Sequence, residues 1–397
     1  MKRKGLWVSV LAVLLAWWLG AAALTSISAG AAASLATPSD VKVTPTVGGI
    51  TVSWASAGGA EVTYTVTSSP SGKSCVALNQ NSCAIDDTSS IPYSFTVVAS
   101  QPGATSSAKS VPTTPLAPRL VLVVAGQSNA NGYESYAVDP GTGVDYMAPP
   151  FTNGADSQDM ITWLPWSQLQ GIGATPVPLD SPQQIGSPGS ATTIFGPELG
   201  LARQVWTDTG RAVTIVKAAH DSTSLAINWS PVKKGTAPNG LFTSMVNYVR
   251  TVMANDAAKG QFDVLGGVYW YQGESDVTKG GWAAKYQTHL QAFISALRAQ
   301  LPMSPTAPIV LAAQDLSRYL AYLNVSYPLK PPKYAAYLSG NSEVRAADTW
   351  AAAHLPSVYY VETADLERVA PYVIHLSNVA QLALGARMAG ASDLRFP

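Results

Sequence analysis

The sequence predicts two units of different fold class: a small all-β sandwich, followed by a larger α/β domain in which helices cover both faces of a parallel sheet. Two observations carry this. Between residues 36 and 110, short runs alternate apolar and polar residues at the period of a half-buried strand, split by Gly, Ser, Pro and Asn turns. From Arg119 onward, unbroken β-branched runs take turns with segments of helical spacing, the pattern of a parallel sheet with crossover helices. At 397 residues the chain is also longer than one core usually serves.

The first segment, MKRKGLWVSVLAVLLAWWLGAAALTSISAGAAASLA, has a basic start, a long apolar run and then small residues. Residues 1–33 therefore read as a signal peptide, with an uncleaved N-terminal anchor as the alternative, because the run from Leu6 to Leu24 approaches the ~20 residues that span a bilayer. Either reading puts the body of the protein outside the cytoplasm. In such a compartment Cys75 and Cys83, the only two cysteines, read as a disulfide, with free thiols as the alternative. The strand-like runs VKVTPT, GITVSWAS, EVTYTVTSS, SCAIDD and YSFTVVAS fill residues 36–110. Their Trp in GITVSW and Tyr in IPYSFTVVAS resemble bacterial fibronectin type III modules, and that resemblance implies a spacer or binding module. The Pro-rich VPTTPLAP, 111–118, is a stiff linker.

In the remainder, 119–397, RLVLVVAG, AVTIVKAA, DVLGGVYWY, APIVLAAQ and SVYYVET are the expected strands. PELGLARQVWTDTG, FTSMVNYVRTVMANDA, WAAKYQTHLQAFISALRAQL and SNVAQLALGARMAG are the expected helices. Residues 133–193 are Gly/Pro-rich, aromatic and aperiodic, and read as a loop region forming either a substrate rim or surface decoration.

A net charge of zero and only 12% charged residues exclude the basic footprint of a nucleic-acid binder, and favour a neutral small molecule or polysaccharide as partner. No membrane partner is expected unless the N-terminal segment stays uncleaved. There is no H-E-x-x-H cluster, no phosphate-binding G-x-x-x-x-G-K-[ST] and no dinucleotide fingerprint, so neither metal nor cofactor is expected.

Three polar residues fall where strands of a parallel sheet end, the usual place for a ligand crevice. Ser128 follows the first strand in VVAGQSNANG, Glu274 follows a middle strand in VYWYQGESDV, and His375 precedes the last helix in PYVIHLSNVAQ. A serine hydroxyl becomes a useful nucleophile when a base takes its proton and a carboxylate orients that base, so the three read as nucleophile, general base and orienter. His220, His289 and His354 are less well placed for this work.

GQSNA at 126–130, IFGPELGLA at 194–202, YQGES at 271–275 and VIHLSNVAQLALGARMA at 373–389 together resemble the sialate O-acetylesterase and carbohydrate esterase family 6 group of SGNH hydrolases. The resemblance runs over 119–397 and implies a flavodoxin-like three-layer α/β/α fold. It implies Ser128 as nucleophile and His375 as base, with an oxyanion hole from the backbone N–H groups of Ser128 and Gly196 and the side chain of Gln272. The implied partner is an acetylated carbohydrate, of acetylxylan or sialic-acid type. Trp163, Trp166 and Trp229 are candidates to stack on sugar faces.

The chain departs from that group at two places. Where relatives carry an Asp three residues before the histidine stands Tyr372, which leaves Glu274, or Asp365 or Glu367, to orient the imidazole. In KAAHDSTSLAINW, Asp221 and Ser222 replace glycines and reshape the pocket. The expected function is a secreted carbohydrate O-acetylesterase. The alternative is a non-catalytic carbohydrate-binding protein on a decayed hydrolase fold.

Overall fold

The computed structural model describes residues 35–46, 49–86, 93–104, 107–110, 118–148, 150–152, 159–164, 173–179, 194–232, 240–279, 281–327 and 329–392. The expected signal segment, the Pro-rich stretch 111–117 and Trp166 lie outside the described residues.

Seven strands, β1 (Ser39–Thr46), β2 (Gly49–Ala55), β3 (Thr63–Ser69), β4 (Ser74–Leu78), β5 (Ser82–Ile85), β6 (Ser94–Ser100) and β7 (Ser107–Ser110), form two antiparallel sheets, β1-β2-β5 and β4-β3-β6-β7. The period-two pattern explains the pairing: alternate residues such as Ile50, Val52 and Trp54 in β2 and Tyr64 and Val66 in β3 are buried between the sheets, and their neighbours face outward. The expected disulfide is present: Cys75 on β4 and Cys83 on β5 join the two sheets.

The second sheet starts with β8 (Arg119–Gly126), which leads into the one-turn helix α1 (Ser128–Asn131). β9 (Met160–Trp163) and β10 (Gly173–Pro178) come next, both within the stretch expected to be loop. Their short lengths gave no period to read. Then follow α2 (Glu198–Thr209), β11 (Val213–Ala219), α3 (Leu241–Ala258), β12 (Asp263–Tyr271), α4 (Glu274–Thr278), α5 (Tyr286–Gln300), β13 (Ile309–Ala312), α6 (Ser317–Ser326), α7 (Pro331–His354), β14 (Val358–Val361) and α8 (Asn378–Ala391).

The strand order is β10-β9-β11-β8-β12-β13-β14, parallel throughout except for the antiparallel edge strand β10. Both faces of β8 and β12 are buried, which is why those strands read as unbroken apolar runs. Val121, Val123, Val268 and Trp270 point into a core shared with α3, α5 and α7, while Leu120, Leu122, Val124 and Tyr269 point into a second core with α2 and α8. Counted along the chain from β8, the five strands from β11 to β14 run 2-1-3-4-5. That order reverses direction between β8 and β12, so a crevice opens beyond their carboxyl ends. At the opposite end of the sheet, Phe262 and Val264 join the sandwich core, with the Phe262 ring 6.1 Å from that of Tyr93. Among the described residues, no helix is long and apolar enough to cross a membrane.

Candidate active site

The turn after β8 depends on glycine. Gly126 has φ +143°, and a Cβ there would sit 2.0 Å from the Tyr271 carbonyl, so no other residue lets β8 and β12 end side by side. The chain then enters α1 at Ser128, whose backbone N–H stands at the first turn, where a helix supplies no acceptor. Gly132 closes this turn in the left-handed region and passes so near the Phe195 carbonyl that a Cβ would clash.

Ser128, Glu274 and His375 all line one cleft of about 780 Å³ at the switch point. Asn129, directly after the serine, binds the histidine loop on both sides of His375. Its Oδ1 accepts from Leu376 N at 3.0 Å, and its Nδ2 donates to Ile374 O at 3.2 Å. The same Nδ2 lies 2.9 Å from Glu274 Oε1. Further along, Gln381 Nε2 donates to Asn129 O at 3.0 Å, which ties α8 to the serine turn as well.

The imidazole itself has another partner. Nδ1 of His375 is 2.7 Å from Oε2 of Glu134, a residue that sequence reasoning did not single out. Their side chains are 14% and 26% exposed, so the pair is shielded without being sealed from water. Tyr133 packs its ring 4.9 Å from the imidazole. The structure does not place Glu274 on the imidazole: its Oε1 accepts from Asn129, and the second oxygen, Oε2, is buried with no hydrogen-bond partner among the described residues. Burial pushes the Glu274 carboxyl above the ordinary range, with the Asn129 hydrogen bond opposing. Asp365 and Glu367 do not reach the imidazole either, since Asp365 pairs with Arg387 and Glu367 accepts from the Ser377 hydroxyl. Tyr372 stands at the cleft mouth, 49% exposed.

Two of the three expected oxyanion donors point elsewhere. Gly196 N–H donates to Glu198 Oε1 at 2.8 Å, an oxygen that Lys217 Nζ also holds at 2.7 Å. Gln272 is fully buried, with Nε2 2.7 Å from Asp276 Oδ2 and 3.0 Å from Thr223 O. Asp276 in turn accepts from Leu225 N and Ala226 N, so Gln272 and Asp276 anchor the 220–229 loop from beneath. Burial raises the Asp276 carboxyl even against those three donors. Ser128 alone of the trio stands in the cleft.

The 220–229 loop carries Asp221 and Ser222 into the cleft wall. Burial raises the Asp221 carboxyl, which accepts from Asn131 Nδ2 at 3.1 Å. Trp229 is a correction too: it is wholly buried, with its indole N–H on the Thr223 hydroxyl, and cannot stack on a ligand. Trp163, in β9, is 8% exposed and also belongs to a core. Among the described residues, no group of three or more His, Cys, Asp or Glu side chains is arranged to hold a metal ion.

The sheet order and the cleft define an α/β protein that brings a serine and a carboxylate-paired histidine to its switch-point crevice. The chain belongs to the carbohydrate esterase family described as sialic acid-specific acetylesterase, which matches residues 118–393. Among solved structures it is similar to a protein from Arabidopsis thaliana, at 21% identity and TM-score 0.48 over 70% of this chain and 100% of that one. It is also similar to a carbohydrate acetylesterase from Xanthomonas citri, at 18% identity and TM-score 0.45 over 89% of this chain and 74% of that one. NanS is 17% identical at TM-score 0.42 over 69% of this chain and 96% of that one. No curated protein sequence matches the chain.

Proposed function

We propose that the protein is a secreted serine esterase that removes O-acetyl groups from a carbohydrate. The observation that carries this reading is the ordered pair His375–Glu134 in the same cleft as Ser128, within a chain of the acetylesterase family. With Nδ1 turned to Glu134, the other ring nitrogen of His375 is left to serve the serine. His375 takes the Ser128 proton as Oγ attacks the ester carbon. The tetrahedral intermediate collapses with cleavage of the bond to the alcohol oxygen, which receives the proton from the imidazolium. Water, deprotonated by His375, then releases acetate from the acyl-serine. Glu134 orients the imidazole and stabilises its charged form. Glu274 acts one step removed, through Asn129, by fixing the histidine loop against the serine turn. The Ser128 N–H at the start of α1 is the proposed oxyanion donor, a role whose loss typically costs about 2.7–4 kcal/mol of transition-state stabilisation.

The Cys75–Cys83 disulfide supports an oxidising compartment and so an exported protein. The seven-stranded sandwich suits a fibronectin type III-like spacer ahead of the esterase unit. The test is acetate release from acetylated xylan, an O-acetylated sialoside and an aryl acetate, with Ser128→Ala as the control. Release by the wild type and none by the variant is the expected result. No release from any substrate would favour the carbohydrate-binding alternative.

A further inference from the structure

Among the described residues, the carbocyclic aromatic rings that line the cleft are all tyrosines: Tyr133, Tyr319, Tyr337 and Tyr372. Two of them are already used in packing. Tyr319 on α6 and Tyr337 on α7 are half-buried against the core, and Lys333 lies 5.5 Å over the Tyr337 ring. Tyr133 and Tyr372 stay 43% and 49% exposed. Both stand on segments that hold His375: the Tyr133 ring packs 4.9 Å from the imidazole, and Tyr372 lies three residues before it on the histidine loop.

That loop is fixed. Val369 N donates to His375 O and Val373 N to Val369 O, each at 2.9 Å, and Arg368 Nη1 donates to Ile374 O at 2.9 Å. Val373, next to Tyr372, has φ +50°, a left-handed conformation that a β-branched residue avoids unless its surroundings hold it there. The Tyr322 ring of α6 meets the Tyr372 ring at 5.7 Å and 88°, an edge-to-face contact. The fold therefore holds a ring in place at the cleft mouth and leaves half of it in water, forgoing the gain that burial would bring.

In the reaction proposed above, His375 gives its proton to the departing alcohol oxygen, and in an acetylated carbohydrate that alcohol is the sugar. A carbon of the sugar is thus bonded to the very oxygen that His375 serves, which brings the sugar ring to the histidine loop. A pyranose presents a face of C–H groups and a rim of hydroxyls. An aromatic face takes the C–H groups out of water, while the phenolic hydroxyl at the ring's edge can still bond to the rim. Of the tryptophans expected in this role, Trp163 and Trp229 are buried.

We propose that Tyr372 is the platform on which the C–H face of the acetylated sugar lies, and so the residue that sets the preference for sugar esters over simple ones. This rests on the esterase reading and deepens it by naming the residue that meets the sugar. Only the ester bond is altered.

The full chain and its Tyr372→Ala, Tyr372→Phe and Tyr372→Trp variants are assayed for acetate release from acetylated xylan, an O-acetylated sialoside, methyl 6-O-acetylglucoside and ethyl acetate. The readout is kcat/KM on the sugar ester that the wild type favours, divided by kcat/KM on ethyl acetate. Tyr372→Ala should lower that ratio by about tenfold, carried by KM on the sugar ester, while Tyr372→Phe and Tyr372→Trp should keep it within about threefold. A loop merely disturbed by the substitution would lower kcat on both kinds of ester and leave the ratio unmoved, and an unmoved ratio overturns the proposal. A ratio lost in Tyr372→Phe as fully as in Tyr372→Ala would also overturn it, because the hydroxyl and not the ring would then be responsible. Wild-type release from ethyl acetate and from none of the sugar esters would overturn the platform and leave an esterase standing. Failure on all four substrates and on an aryl acetate would instead remove the esterase reading, and this inference with it.

Discussion

Replacing Glu134 by Gln removes one negative charge from the atom facing His375 Nδ1 and leaves the side chain nearly the same shape. Two unit charges about 4 Å apart interact by about 4 kcal/mol at an effective dielectric of 20. Glu134 is 26% exposed at its side chain, so water recovers part of that loss, and about 2–3 kcal/mol is a reasonable share for the carboxylate. Because the imidazolium exists only after Ser128 has been deprotonated, the charge matters in the transition state and hardly in substrate binding. The expected result is a fall in kcat of about 30- to 150-fold with KM almost unchanged.

Glu274→Gln makes the contrast. The Glu274 carboxyl is already pushed by burial toward its neutral form, and a glutamine carbonyl can still accept from Asn129 Nδ2. Its kcat should fall by less than about fivefold. The assay is steady-state acetate release from an aryl acetate by the two purified variants and the wild type, with circular dichroism to confirm folding. Near-full activity in Glu134→Gln together with collapse in Glu274→Gln would refute the assignment, and would mean that Glu274 reaches the imidazole during turnover.

Three further outcomes follow from the geometry. Asn129→Ala leaves Leu376 N and Glu274 Oε1 buried without their partner, at about 1–3 kcal/mol each, so thermal unfolding should show a lower Tm and kcat should drop more than KM rises. Replacing both Cys75 and Cys83 by Ser opens a short loop that spans the two sheets of the sandwich, a loss of about 2–3 kcal/mol in denaturant unfolding with acetate release unchanged in the folded protein. Asp263 sits at the start of β12 between two residues packed into the sandwich core, and burial, reinforced by the neighbouring Asp256, raises its carboxyl from the ordinary 3.8. The folded protein therefore holds a proton that the unfolded chain gives up, and stability falls as pH rises above 3.8. Asp263→Asn should raise Tm at slightly alkaline pH and leave it unchanged in acid; equal shifts at both would count against this account.

The parts of the fold with long periods were legible. β8, β11 and β12 are apolar runs because helices cover both of their faces, and the sandwich strands alternate because only one face of each is buried. What escaped was set by contacts between distant segments. β9 is four residues long, and its place beside β11 depends on the sheet rather than on its own pattern. Trp229 is a candidate for stacking on residue type alone, but Asp276 holds the 225–226 backbone and the indole is buried with its N–H on the Thr223 hydroxyl. Gly196 and Gln272 carry the family's motif, yet their donors are satisfied by the nearby Glu198 and Asp276, whose carboxylates are held in place from distant segments, by Lys217 and by the 225–226 backbone.

Glu134 is the most instructive omission. It lies 241 residues before the histidine it serves, and it reaches the ring from a backbone with φ +66°, a conformation an L-residue adopts only when its surroundings hold it there. Three residues before the histidine this chain has Tyr372 and no acid, and the carboxylate on the imidazole comes instead from the segment that carries Ser128. Asn129, from that same segment, already grips the histidine loop at Ile374 and Leu376. The stretch 128–134 therefore supplies the serine, the loop clamp and the imidazole's partner at once. A shift of the serine turn then carries the histidine's two supports with it, so the spacing between Ser128 and His375 is referenced to one short piece of backbone. On the proposed esterase reading, the Glu134 carboxylate relieves position 372 of orienting the imidazole, and a tyrosine stands there at the cleft mouth.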